Sequence, residues 1–150
     1  MCIRDRNNRI NKLHERALRL VYKNSNCTFS ELLVKDKSFT IHERNLQKLA
    51  IEMFKIKNNL APNLLSEIFS QYQPTYGLRN NRSWNNSNVR TVYYGKETLS
   101  YRGPKTWELL PYSLKNVESL QEFKTRIKSW KPEGCTCRLC KSFIPDLGFL

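Results

Sequence analysis

The chain has 150 residues, which is enough for one modest hydrophobic core but too few for a catalytic domain together with an accessory module. Its 26 Lys and Arg residues against 13 Asp and Glu residues give a net charge of +13, which argues against an enzyme of acidic substrates or a neutral secreted module and favours a polyanionic partner. With 39% hydrophobic residues and aromatics spread along its length, the chain is not a disordered basic tail.

We expect no targeting signal in this sequence. No run of about 18 apolar residues exists, so we expect no membrane span and no membrane partner. The first residues lack the apolar stretch that defines a secretory signal. We therefore expect an intracellular protein, cytoplasmic or nuclear and not secreted, whose five cysteines are reduced.

The first predicted element is an amphipathic helix over residues 8–23. Its apolar positions at helical spacing are Ile10, Leu13, Ala17, Leu20 and Val21. Its other side carries the cations Arg9, Lys12, Arg16, Arg19 and Lys23. Such a row is either ordinary solvated surface or a polyanion-binding face. Five cations against one acid, Glu15, favour the second, because a solvated face normally mixes both signs.

Capping boxes mark the next helices. Thr28 with Glu31 predicts a short helix through Leu32 and Leu33, and Thr40 with Glu43 predicts a longer one that ends at Pro62. The longer helix has an apolar stripe of Leu46, Leu49, Met53, Ile56 and Leu60, and its other face carries Arg44, Lys48 and Lys55. Pro62 can open a further helix with Leu64, Leu65, Ile68 and Phe69. Residues 7–70 are thus predicted to form a helical segment.

Residues 71–88 are rich in Asn, Ser and Arg, a composition typical of a loop or linker. Within and just after it, cations and aromatics alternate: Tyr76, Arg79, Arg82, Trp84 and Arg90. That combination suits phosphate contact together with base stacking on a single strand. The alternative is an exposed linker whose Trp packs back onto the core.

Residues 89–131 are predicted to hold a β-hairpin and further helices. The β-branched and aromatic residues of 89–94 and 98–101 flank a glycine turn. A helical turn then starts at Gly103 and Pro104 and stops at Pro111. A third capping box, Ser119 with Glu122, opens a last helix with one stripe of Leu120, Phe123, Ile127 and Trp130. The predicted fold class is therefore mainly α: a small helical array, a short β-hairpin, a further helix and a Cys-containing tail at 132–150.

Residues that could carry catalysis are sparse. Two-metal phosphoryl chemistry needs converging carboxylates, whereas Asp5, Asp36 and Asp146 are each isolated. The two histidines, His14 and His42, lie near apolar helix faces, where a histidine at the core edge is the usual outcome. We expect no catalytic residues in this chain.

One cluster could bind metal, namely Cys135, Cys137 and Cys140. Three closely spaced thiolates can coordinate one Zn²⁺ ion. We expect no cofactor other than this candidate Zn²⁺. A closed site needs a fourth ligand, for which Cys27, His14, His42, Asp146 or a second chain are the candidates. The alternative is a tail with free reduced thiols.

Several stretches together resemble one family. They are residues 11–19 (NKLHERALR), 76–80 (YGLRN), 91–95 (TVYYG), 100–111 (SYRGPKTWELLP), 123–124 (FK) and 130–140 (WKPEGCTCRLC). In this order they resemble the C-terminal region of reverse transcriptases of non-LTR retrotransposons of the LINE type, Jockey-like. Residues 1–6 (MCIRDR) do not fit and look like a translated sequencing adapter, so we expect a non-native leader there.

The resemblance implies a non-catalytic part of an RNA-directed DNA polymerase. It covers the segment after the palm and thumb, which helps hold the element's RNA or target DNA. The implied partners are RNA or DNA and the upstream reverse transcriptase domains of the same polyprotein. The family's Phe/Tyr-x-Asp-Asp motif, which holds Mg²⁺, does not occur in this chain, so none of its catalytic residues carries over. The alternative function is a stand-alone interaction module that uses its apolar helix faces and a zinc-binding tail.

Overall fold

The computed structural model describes residues 3–23, 26–69, 84–85, 87–91 and 94–132. In these ranges the helices are α1 (Ile3–Tyr22), α2 (Phe29–Asp36), α3 (Ile41–Lys57), α4 (Asn63–Ile68), α5 (Leu99–Glu108), α6 (Tyr112–Lys115) and α7 (Leu120–Ile127). A 3₁₀ turn at Gly95–Glu97 precedes α5. The mainly α class is thus confirmed, and none of these helices is long and apolar enough to cross a bilayer.

The chain divides into two compact units, with the boundary after Asn45 in α3. The first unit contains α1, α2 and the start of α3. Its apolar core is small, with Leu18 of α1 against Leu32 and Leu33 of α2. His14 meets Phe29 edge to face, with ring centroids 5.9 Å apart. The described part of the first unit therefore has few buried apolar side chains.

Polar groups complete the packing of α1. The carboxamide oxygen of Asn11 accepts a hydrogen bond of 3.2 Å from the backbone N–H of Ile41. Because Ile41 is the first residue of α3, its N–H has no acceptor within that helix. Asn11 supplies the missing acceptor. Asn7 and His42 are buried with it, so the face of α1 that packs is largely polar.

The apolar row of α1 lies on the surface, although an amphipathic helix usually buries its apolar side. The exposed fractions are 46% for Ile10, 63% for Leu13, 79% for Leu20 and 70% for Val21. Ala17, between them, is exposed as well. The helix was predicted correctly, but its buried face runs instead through Asn7, Asn11 and Leu18.

Two of the three predicted capping boxes are confirmed. The Thr40 hydroxyl accepts from the N–H of Glu43 at 3.2 Å, and the Glu43 carboxylate accepts from the N–H of Thr40 at 2.7 Å. Thr28 and Glu31 make the same reciprocal pair at the start of α2. The third box is wrong: Ser119 occupies the N-cap position of α7, but its side chain makes no capping bond.

α3 ends earlier than its apolar stripe predicts. Asn59 adopts a left-handed conformation with φ 55°, and the N–H of Leu60 donates to the carbonyl of Lys55 at 2.8 Å. This bond closes the helix end in a Schellman motif. Leu60 consequently leaves the stripe and is exposed.

The second unit is built around three aromatic rings. Phe54 of α3 stacks on Phe123 of α7 with centroids 4.3 Å apart, and Trp107 of α5 lies 6.3 Å from Phe123 at an interplanar angle of 24°. All three side chains are fully buried. Around them the core is completed by Met53, Ile56, Phe69, Trp84, Leu110, Leu114, Val117 and Ile127. Gln47 of α3 donates a 2.9 Å hydrogen bond to the carbonyl of Trp130, three residues after the end of α7.

The predicted β-hairpin is wrong. Residues 99–101, assigned to its second strand, form the first turn of α5. Thr98 is the N-cap residue, and its hydroxyl donates to the carbonyl of Gly95 at 2.7 Å. The β-branched and aromatic composition misled the prediction because strand propensity is weak against the packing of a helix with a buried face. No strand is found in the described ranges.

Pro104 lies inside α5, not at its start as the sequence predicted. A proline there cannot donate to the carbonyl four residues earlier, which belongs to Ser100. The hydroxyl of Ser87 donates to that carbonyl at 3.3 Å instead. This replacement bond lets α5 run four residues further toward its N-terminus than the Gly-Pro pair suggests.

Substitution Gly103→Ala tests how closely α5 approaches the core. A methyl group at this position would lie 2.6 Å from Sδ of Met53 and 3.1 Å from Cε1 of Phe69. We expect Gly103→Ala to lower the free energy of unfolding by about 1–3 kcal/mol, measured by urea denaturation. An unobstructed Gly→Ala change inside a helix would raise it by up to about 1 kcal/mol. A stabilised variant would therefore contradict the packing described here.

The capping bonds give a second test. We expect Thr40→Ala to lower the free energy of unfolding by about 1 kcal/mol, because the N–H of Glu43 loses its acceptor. Ser119→Ala is the matched control, since Ser119 holds the equivalent position without the bond, and we expect a change of less than about 0.5 kcal/mol. Equal losses in the two variants, measured by the same urea titration, would contradict the difference between the caps.

Candidate nucleic-acid interface

Three of the predicted cations lie together on α1. Arg9, Lys12 and Arg16 are all exposed, and the helical geometry places them within an arc of about 60° and a length of about 10 Å. We call these three residues the cation row. None of them forms a hydrogen bond or ion pair with another residue that the structure describes. Among the described residues, therefore, no acidic side chain balances these three charges.

The two other predicted cations of this segment differ from the row. The guanidinium of Arg19 forms a 2.8 Å ion pair with Glu15, so part of its charge is already balanced. Lys23 follows α1 in a left-handed conformation with φ 48° and is exposed. Of the five predicted cations, the structure thus groups Arg9, Lys12 and Arg16 on one side of α1, each without an ion pair among the described residues.

Hydrogen bonding fixes the end of α1 near the row. The hydroxyl of Tyr22 donates to the Asp36 carboxylate at 3.2 Å. The pKa of Tyr22 is raised by lost hydration, and next by this hydrogen bond and by the charge of Asp36. Near neutral pH the phenol consequently keeps its proton and links α1 to α2.

The predicted cations of α3 and of the segment after Trp84 are spread out. Arg44, Lys48 and Arg90 are exposed. Lys55 is half-buried, and its ammonium pairs with Glu52 at 2.8 Å. None of these four residues belongs to α1.

Trp84 does not have the role predicted for an exposed stacking residue. It is only 3% exposed and meets Phe69 edge to face at 6.0 Å. Because its ring is taken up by the core of the second unit, a nucleobase cannot stack on it. The alternative from the sequence, a Trp packed on the core, matches this position. Arg79 and Arg82, its predicted partners, lie outside the described residues.

Two lysines that the sequence analysis did not single out meet at the ends of three helices. The ammonium of Lys57 lies 5.5 Å above the Trp107 ring and donates to the carbonyl of Lys115 at 3.2 Å. Lys115 in turn donates to the carbonyl of Glu108 at 3.2 Å. Burial lowers the pKa of Lys115, the charge of Glu108 raises it, and the charge of Lys57 lowers it further. The two ammonium groups thus lie at the C-terminal ends of helices and offset the partial negative charge there.

The predicted zinc ligands Cys135, Cys137 and Cys140 lie outside the described residues. Within the part of the chain that the structure describes, no group of three or more His, Cys, Asp or Glu residues could hold a metal ion. Of the candidate fourth ligands, His14 packs on Phe29, and Sγ of Cys27 accepts from the Lys35 ammonium at 3.5 Å.

Comparison of the chain with protein-family models, with curated proteins and with solved structures gave no match.

Chemically, the cation row offers two guanidinium groups and one ammonium group on a rigid helix. Guanidinium groups bind phosphate oxygens in a bidentate manner, while an ammonium acts as a point charge. Nothing in the row selects a base, because phosphate contacts position a nucleic acid without carrying sequence information. The arrangement suits binding to a phosphate backbone.

Proposed function

We propose that this chain is a non-catalytic nucleic-acid-binding segment that holds RNA or DNA by its phosphate backbone. The observation that carries the proposal is the cation row of α1, with Arg9, Lys12 and Arg16 exposed and unpaired among the described residues. The net charge of the whole chain, +13, also supports the proposal. A polyanion gains from such a surface mainly by releasing its condensed counterions.

The wider setting that we propose is the C-terminal portion of the reverse transcriptase of a non-LTR retrotransposon. The sequence resemblance given above supports it, most of all the residues 100–111 (SYRGPKTWELLP). In that setting the upstream polymerase domains supply the Mg²⁺ and the chemistry, and this chain adds affinity for the element's RNA or for target DNA. The row then contributes binding without sequence preference.

The salt dependence of binding tests the role of the row. We expect the full chain to bind a fluorescein-labelled oligo(dT) with an affinity that falls steeply between 50 and 200 mM salt. Replacing Arg9, Lys12 and Arg16 together by Gln should flatten the slope of log K against log salt by about 2, at about 0.7 per lost phosphate contact. Fluorescence anisotropy gives the slopes directly.

The matched control removes the same charge from the second unit. Lys96, Lys124 and Lys128, each replaced by Gln, lower the net charge equally but leave α1 intact. We expect this variant to keep most of the wild-type slope. If both triple variants flatten the slope equally, the binding reflects net charge alone and the assignment to α1 is wrong. An unchanged slope in the α1 variant, with an unchanged circular dichroism spectrum, would show that the cation row is ordinary solvated surface and does not bind the oligonucleotide.

The Cys135, Cys137 and Cys140 cluster remains a proposed zinc site, to be separated from free thiols by metal analysis. Zinc predicts about one equivalent in freshly purified protein and its release on Cys→Ser change at any of the three, because a structural site depends on every ligand. Free thiols predict less than about a tenth of an equivalent and rapid alkylation of the native chain. A metal content that rises with dimerisation would assign the fourth ligand to a second chain.

A further inference from the structure

The exposed apolar residues of α1 follow a heptad pattern. Ile10, Leu13, Ala17 and Leu20 are separated by three, four and three residues, which is the a/d spacing of a coiled coil. All four are exposed, with Leu13 at 63% and Leu20 at 79%. We call them the seam. It extends over about 15 Å, or three helical turns.

Charge lies along one edge of the seam only. In the same heptad register, Arg9 and Arg16 occupy g positions, where coiled coils carry the charges that select a partner. The e positions of the other edge hold no Lys, Arg, Asp or Glu: His14 lies on Phe29, and Val21 is apolar and exposed. A partner helix on the seam would therefore meet positive charge along one edge.

We propose that the seam of α1 docks one helix of another protein, with an apolar a/d row and with Asp or Glu along the edge that faces Arg9 and Arg16. The spacing selects a helix, because successive a and d residues insert between side chains of a facing helix. The guanidinium groups select an acidic edge, since like charges opposite g positions oppose pairing. This inference does not depend on nucleic-acid binding.

A second copy of this chain does not meet these requirements. In antiparallel pairing of two α1 helices, g positions face each other, so Arg9 and Arg16 would oppose arginines. In parallel pairing, g faces the e position of the next heptad, which places Arg9 opposite His14 and Arg16 opposite Val21. Neither arrangement gives an arginine an acidic partner.

A lipid surface is also less suited to the seam. Helices that lie in a membrane interface present a broad apolar face with Trp, Phe and Leu. The seam is an a/d row that only Val21, at an e position, widens, and none of these five residues is aromatic.

Two synthetic helical peptides serve as probes. Both have 21 residues with Leu at a and d; the acidic probe has Glu at e and g, and the basic probe has Lys there. Each carries fluorescein, and each is titrated with the full chain in an anisotropy assay. We expect the acidic probe to bind at least about tenfold more tightly than the basic probe. The arginines at the g positions attract the Glu side chains of the acidic probe and repel the Lys side chains of the basic probe.

Substitutions distinguish binding at the seam from nonspecific hydrophobic binding. Leu13→Gln with Leu20→Gln should weaken binding of the acidic probe by at least about tenfold, because both side chains lose their apolar contacts. Leu64→Gln is the control, since Leu64 is 70% exposed on α4 and is not part of the seam. Arg9→Gln with Arg16→Gln should reduce the preference for the acidic probe to less than about threefold. Circular dichroism checks that each variant keeps its helices.

Defined outcomes would overturn the docking proposal. They are equal affinity for the two probes, an equal effect of Leu64→Gln and the seam variant, or no binding of the acidic probe at micromolar concentration. Sedimentation that shows a dimer abolished by Leu13→Gln would assign the seam to a second copy instead. Seam-dependent binding to phosphatidylserine vesicles without binding of the acidic probe would assign it to a membrane. The seam variant should bind oligo(dT) as wild type does, so failure of the proposed function is detected separately.

Discussion

The stack of Phe54, Phe123 and Trp107 is the interaction on which the second unit depends. It joins one residue from each of α3, α7 and α5, and each ring is fully buried. Aromatic rings in such offset contacts contribute beyond the area that they bury. Beside the stack, Gly103 brings α5 close to Met53 and Phe69, and the ammonium of Lys57, the last residue of α3, lies over the Trp107 ring.

The first unit is held by a different balance of forces. Among the described residues its apolar core is Leu18, Leu32 and Leu33, and the other buried side chains of α1 are those of Asn7 and Asn11. The Ile41 N–H donates to the carboxamide oxygen of Asn11, while Nδ2 of Asn11 is buried without a hydrogen-bond partner among the described residues. The bond to the oxygen favours a rotation of α1 that turns Asn11 toward the start of α3. That rotation leaves both the cation row and the seam exposed. Polar packing on one side of α1 is thus the reason that its apolar side remains accessible.

Much of the helical framework could be predicted because its signals are local. The capping boxes at Thr28 and Thr40 depend only on residues three apart, and the stripe of Phe123 and Ile127 depends on residues four apart.

The features that the sequence did not predict depend on contacts between residues distant in sequence. α5 begins before its Gly-Pro pair because Ser87 supplies a hydrogen bond from outside the helix. The apolar row of α1 was predicted on the wrong side for the same reason, and the sequence left the two roles of Trp84 open, since burial is decided by neighbours that periodicity does not identify. In the candidate site, the cations of α1 were predicted individually, whereas the pairing of Arg19 with Glu15 needed side-chain geometry.

The sequence distance between Phe54 and Phe123 has a consequence for the order of folding. The two rings are 69 residues apart along the chain, so bringing them together costs on the order of 4 kcal/mol of loop-closure entropy before the contact contributes anything. α1 and α2, by contrast, meet through residues 14 and 15 positions apart, Leu18 with Leu32 and Leu33. Contacts of low sequence separation form first, and chains dominated by long-range contacts fold more slowly. The helix pair that carries the cation row can therefore assemble before the aromatic core closes, during synthesis as well as in refolding.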